Sequence, residues 1–104
     1  MMENIMQEIG LPWAYHHYAE GESPDPPFML YLYPQSNNFG ADNKVYAKAT
    51  DVYLELYTDL KDPSLEEQIE SILESHSIYW DKSEVWIESE KLYEVLYSFE
   101  TEVK

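Results

Sequence analysis

The chain has 104 residues, with 21 acidic side chains against six lysines, no arginine, no cysteine and a formal net charge of −15 at neutral pH. That length sets a single domain with one modest core, and the lack of cysteine excludes disulfides, thiolate chemistry and cysteine-type zinc sites. The acid excess excludes conventional nucleic-acid and anionic-membrane binding, both of which need lysine or arginine to displace counterions and clamp phosphate.

Ten tyrosines, three tryptophans and three phenylalanines supply ample core material, so the chain is not a disordered one. The acidity is uneven, with 7 acidic and 2 basic residues before Val52 and 14 and 4 from Val52 onward. The N-terminal stretch MMENIMQEIG has no basic lead, which speaks against a signal peptide, and no apolar run reaches the length of a membrane span.

Met2, Ile5, Met6 and Ile9 recur at helical spacing and Gly10, Leu11 and Pro12 stop the pattern, which predicts a short amphipathic helix. Residues 13–18 read as a first strand. Residues 19–27 read as a loop, because Gly21, Pro24, Pro26 and Pro27 forbid regular hydrogen bonding there. Residues 28–33, FMLYLY, read as an aromatic-rich strand ended by Pro34. The simplest connection between the two strands is a hairpin with a stiff acidic loop. Residues 35–44 have a turn composition.

Residues 45–58 read as one long strand. Val52, Leu54 and Leu56 share one face, and Tyr53, Glu55 and Tyr57 the other. Upstream, Val45, Ala47 and Ala49 have the opposite parity, so a bulge near Thr50 and Asp51 is expected. A second helix starts at the motif DPSLEE: Asp62 caps, Pro63 occupies the first turn, and Glu66 and Glu67 favour the positive end. Its apolar stripe is Leu65, Ile69, Ile72 and Leu73, and it ends near His76. Residues 77–87 read as a strand, with Tyr79 and Trp80 near its start. The C-terminal segment fits a helix through Leu92, Val95, Leu96 and Phe99, or a strand through Tyr93, Val95, Tyr97 and Phe99; its tyrosine, valine and phenylalanine content favours the strand. The expected fold is a small single α+β domain, mostly antiparallel sheet with two flanking helices, in the order helix, three strands, helix, two strands.

Candidate chemistry is sparse. His16 and His17 are neighbours on an expected strand and so point to opposite faces, and His76 lies near the second helix; no metal-ligand spacing links them. Glu20, Glu22 and Asp25 cluster in the first loop without the spaced series of a calcium loop. Glu84, Glu88, Glu90 and Glu94 have the composition of a solvated charged face. No activated nucleophile or phosphate loop is visible. The expectation is a non-enzyme with no cofactor and no metal. The two long loops are read as contact elements: Glu20, Glu22, Asp25 and Pro26 in residues 20–27, and Asn37, Asn38, Phe39 and Asp42 in residues 35–43. Tyrosine in excess of what the core needs suggests homo-oligomerisation or docking.

Three stretches, LPWAYHHYAEGESPDPPFMLYLYPQSNNFGADNKVYAK, ELYTDLKDPSLEEQIESILE and YWDKSEVWIESEKLYEVLYSFE, cover nearly all of residues 11–100. In overall pattern the chain resembles small head–tail joining or tail-completion proteins, the tail terminators, of siphophages and prophages of Gram-positive bacteria. The resemblance implies a small α+β subunit of a ring, a hexamer, that caps the tail tube and docks to the head connector. It implies three partners: further copies of itself, the tail tube protein and the head-connector protein. It implies assembly in the host cytoplasm and residence in the virion, with DNA passing through the ring lumen without binding. The alternative from another class is an acidic DNA mimic that inhibits a host nuclease or DNA-binding protein; Glu84, Glu88, Glu90 and Glu94 are its candidate phosphate substitutes. A metal-dependent enzyme using His16, His17 or His76 is the third option.

Overall fold

In the structure, a computed structural model describing residues 2–36, 39–41, 44–47 and 49–102, the chain opens with helix α1 (Met2–Ile9). Gly10, at φ +81°, ends it with a backbone bond from its N–H to the Met6 carbonyl at 3.1 Å; glycine takes that left-handed conformation without a side-chain clash. Helix α2 (Pro63–Ser75) begins as its sequence predicts. The Asp62 carboxylate accepts from the Leu65 N–H at 3.1 Å, Pro63 fills the first position, and His76 forms the C-cap.

Strands β1 (Trp13–Tyr15), β2 (Phe28–Leu32), β5 (Ala49–Thr58), β6 (Asp81–Ile87) and β7 (Leu92–Glu102) make one sheet in the order β1-β2-β5-β7-β6. Strands β3 (Phe39–Ala41) and β4 (Lys44–Ala47) form a separate antiparallel pair. Every pairing in the large sheet is antiparallel except β1 with β2, so the fold is a small α+β domain with a largely antiparallel sheet. The register places Met29 opposite Leu56, Tyr31 opposite Leu54, and Val52, Leu54 and Leu56 opposite Phe99, Tyr97 and Val95. Partners across a ladder share a face. These residues therefore form one apolar layer, and Met2, Ile5 and Met6 of α1 with Ile69 and Leu73 of α2 close over it. Both helices lie on that one face, and among the described residues none covers the other.

Many of the tyrosines line the margin of this core rather than leave it. Tyr31 donates to Glu3 at 3.2 Å and packs with Trp13, Tyr15 and Tyr33 at centroid distances of 5.1–5.8 Å. Burial first, then the Glu3 charge, pushes the Tyr31 hydroxyl up to about 12. Tyr97 is fully buried and donates to Glu70 at 2.8 Å, which satisfies its polar tip.

Four local expectations are corrected. The first two strands are not a hairpin: β1 stops at Tyr15 and runs parallel to β2. His16, at φ +68°, leaves the strand direction while its N–H bonds the Tyr31 carbonyl at 2.8 Å. Residues 16–27 then carry the chain back, about the dozen residues a parallel crossover needs. The long strand expected over residues 45–58 is two strands in different sheets. Thr50 and Asp51 pair regularly with Thr101 and Glu100, so no bulge is needed there; the parity change coincides with the change of partner sheet. Three residues of the expected turn at 35–44 form β3. The strand expected from residue 77 begins at Asp81, because Ser77, at φ +58°, and Ile78, bonded to the Leu73 carbonyl at 3.0 Å, complete the helix exit. Five strands therefore precede α2 instead of three.

Candidate docking face

The helix-free face is laid out by the same register. Across β2, β5, β7 and β6 it reads Leu32, Tyr53, Ser98 and Asp81 in one row, Leu30, Glu55, Leu96 and Ser83 in the next, and Phe28, Tyr57, Glu94 and Val85 in a third. Strand alternation dictates this face once the opposite one is committed to the core. Tyr57 stacks on Phe28 at 5.1 Å and 19°, and Tyr18 from the crossover meets Phe28 edge-on at 5.5 Å. The crossover thus touches the face at its Phe28 corner. Phe28 and Leu30 are buried, so the β2 side of the face is closed, whereas Tyr53 and Val85, 37% and 51% exposed, leave its β5 to β6 side open. A shallow groove at its far end is lined by Asp51, Tyr53, Tyr79, Asp81, Ser98 and Glu100.

At the centre, the Tyr57 hydroxyl lies 3.1 Å from Glu55 Oε1 and 3.2 Å from Glu94 Oε1. One hydroxyl proton thus serves two carboxylates on neighbouring strands. Glu55 sits between Leu30 and Leu96, and Glu94 between Tyr57 and Val85. Burial, and next the Glu94 charge, push the Glu55 carboxyl up to about 7. Burial with the two adjacent carboxylates raises the Tyr57 hydroxyl further above its ordinary value, so it remains a donor.

A second polar cluster fastens α2 to the sheet. Glu66 is 3% exposed, yet Lys61 reaches it at 2.7 Å and Lys82 at 2.8 Å. Lys82 also bonds Glu70 at 2.7 Å, and Lys61 also pairs with Glu84. Burial is the largest influence on the Glu66 carboxyl and works against ionisation, but the two lysines outweigh it and hold the group below its ordinary value. Lys91 pairs with Glu88. Lys61, Lys82 and Lys91 are thus all engaged by carboxylates of their own chain.

The residues singled out from sequence are dispersed. Glu20, Glu22 and Asp25 are exposed on the crossover and Pro26 is half-buried. Phe39 opens β3, while Asn37, Asn38 and Asp42 lie outside the described residues. Glu84 is on the helix side with Lys61, Glu88 and Glu90 are in the β6–β7 turn, and Glu94 is on the open face. Strand alternation does not separate the histidine rings, because His16 has left the strand: the two Nδ1 atoms are 3.1 Å apart. His76 is elsewhere, its Nε2 2.8 Å from Glu8. Among the described residues no group of three or more histidine, aspartate or glutamate side chains is gathered for a metal, and no helix is long and apolar enough to cross a membrane. No protein-family model matches the chain, and no curated protein matches it either.

The grouping of Tyr57 with Glu55 and Glu94 was not legible in the sequence, although the Tyr53-Glu55-Tyr57 alternation and the acidic series containing Glu94 were visible. Glu94 lies 37 residues beyond Tyr57 and reaches it only through the β5–β7 register.

Proposed function

We propose that this protein is a structural component of phage virion assembly, a non-enzymatic ring subunit at the head-proximal end of the tail that contacts its own copies, the tail tube and the head connector. The observation that supports this best is the one-sided sheet. Its helices all pack on one face, leaving rows of aromatic, aliphatic and acidic residues on the other. Such a surface suits packing against another protein better than enclosing a small substrate. Acidity is useful in a ring that DNA traverses, because like charge keeps DNA from adhering to the wall. On this reading the subunit assembles in the host cytoplasm and remains in the virion.

Deleting the gene from its phage tests the proposal. Tails of irregular length that fail to join heads are expected, and normal virions would overturn it. Removing residues 23–26 from the crossover tests that loop separately; unchanged assembly would remove it as a contact.

A DNA-mimic inhibitor is the second reading. It is favoured by the elongated body, 50 × 30 × 23 Å, in which Lys61, Lys82 and Lys91 are masked by neighbouring carboxylates. Binding to a nuclease that duplex DNA competes away would select it over the structural role.

A further inference from the structure

We infer that the helix-free face is a receptor for a cationic protein partner, with Glu55 and Glu94 together receiving one lysine or arginine side chain of that partner while Leu96 and Val85 pack against apolar residues flanking it. The inference deepens the assembly reading, and rests on it only in taking the protein to act by docking.

The geometry carries the argument. Two carboxylates from adjacent strands converge on one hydroxyl, at 3.1 and 3.2 Å, with the accessible apolar side chains of Leu96 and Val85 paired directly beside them. Each element around them has a known contribution. Strand β5 brings Glu55 and Tyr57, and β7 brings Glu94 and Leu96. Strand β2 brings Phe28 and Leu30, β6 brings Val85 and Ser83, and the crossover brings Tyr18. The nearest further charge in this layout is Asp81, another acid. One phenolic proton cannot neutralise two carboxylates. The free site meets the deficit by retaining a proton, since burial and Glu94 hold the Glu55 carboxyl up to about 7. A partner's ammonium or guanidinium group supplies the same positive charge, and docking then releases that proton.

Other occupants fit less well. A second copy would set acid against acid, and the lysines whose side chains are described, Lys61, Lys82 and Lys91, are already held by their own carboxylates. A hard divalent cation takes six to eight oxygens, and no third metal-ligating side chain joins this pair among the described residues. Phosphate-bearing ligands are repelled. Only a partner that combines one cation with apolar neighbours matches both the charge and the flanks.

The test is an amide NMR titration of the isotopically labelled protein with the capped peptide acetyl-Leu-Val-Arg-Val-Leu-amide, and with its glutamine-for-arginine counterpart, at pH 8 and pH 6. Shifts confined to β5, β6 and β7 around Glu55 are expected. Affinity should fall about tenfold for the glutamine peptide and for Glu94→Gln, fall from pH 8 to pH 6, and be unchanged in Glu20→Gln. The amide spectrum of each variant verifies its fold. No binding, shifts spread over the whole acidic surface, equal losses in Glu20→Gln, or the same shifts with magnesium chloride alone would each overturn the inference. None of these outcomes decides the assembly reading, which stands or falls on the gene deletion.

Discussion

Two glutamates, the half-buried Glu55 and the buried Glu66, pull the stability of this protein in opposite directions with pH. Glu55 keeps its proton up to about 7, above its ordinary 4.5. In that window the folded chain holds a proton that the unfolded chain has lost, so stability falls as pH rises from about 4.5 to about 7. Glu66 is held below its ordinary value by Lys61 and Lys82 against its burial, so its contribution is present above 4.5 and is lost on acidification. Replacing Glu55 with glutamine keeps a hydrogen-bonding group beside Tyr57 and removes the carboxyl. The variant should be more stable than the parent at pH 8 by about 1–2 kcal/mol, allowing for solvent screening, and indistinguishable from it near pH 4.5. Urea denaturation at the two pH values measures this, and parallel pH profiles would show that Glu55 is not the titrating group. Which face Glu55 occupies was legible in the sequence, because Val52, Leu54 and Leu56 claim the other. Its partnership with Glu94 was not, because strand alternation fixes a face and says nothing about which strand lies alongside.

Among the elements, legibility followed the range of the forces involved. Both helices were readable to within a residue or two, since caps and amphipathic spacing are local: Asp62 bonds Leu65 N, and Gly10 turns the chain out of α1. The C-terminal strand was readable from its side-chain types. The direction of β1 was not. A stiff loop between two aromatic strands suits a hairpin or a crossover equally well, and the positive φ of His16, which no composition signals, decides between them. The burial of Glu66 was equally hidden, because a glutamate in the first helical turn already has a reason to be there in the helix dipole. In the fold it is the point where α2 is tied to β6 through Lys82. Lys82→Met preserves the aliphatic stem and removes the cation, leaving a buried carboxylate with half its partners. A loss of about 1–3 kcal/mol is expected. Changing Glu66 to methionine as well should recover much of that loss, since a buried ion pair replaced by apolar side chains of similar size is often near neutral. A double-mutant cycle by chemical denaturation provides the measurement; two single variants within about 0.5 kcal/mol of the parent would mean that the helix is held by its apolar stripe alone.

At the scale of the whole molecule, the net charge of −15 on a body of 50 × 30 × 23 Å sets how it responds to salt. At about 10 mM ionic strength the screening length is roughly 30 Å, so nearly every carboxylate repels every other across the fold; at about 150 mM it is roughly 8 Å, and only near neighbours interact. Salt also weakens the lysine pairs, but the exposed Lys91–Glu88 pair belongs to a class with little net effect on stability, and the Glu66 pairs are shielded by burial. Relief of repulsion therefore sets the sign. Raising sodium chloride from about 10 to 150 mM should raise the melting temperature by about 4–8 °C, the shift that roughly 1 kcal/mol produces in a domain of this size. The same repulsion acts between molecules, so dilute protein should sediment as a monomer at low salt and associate more readily as salt increases, whereas docking of a cationic partner should weaken over that range. Calorimetry and sedimentation across the salt series measure both. A flat or falling melting temperature would mean that the acids are compensated locally, which would remove the electrostatic reason for preferring an oppositely charged partner over another copy of the chain.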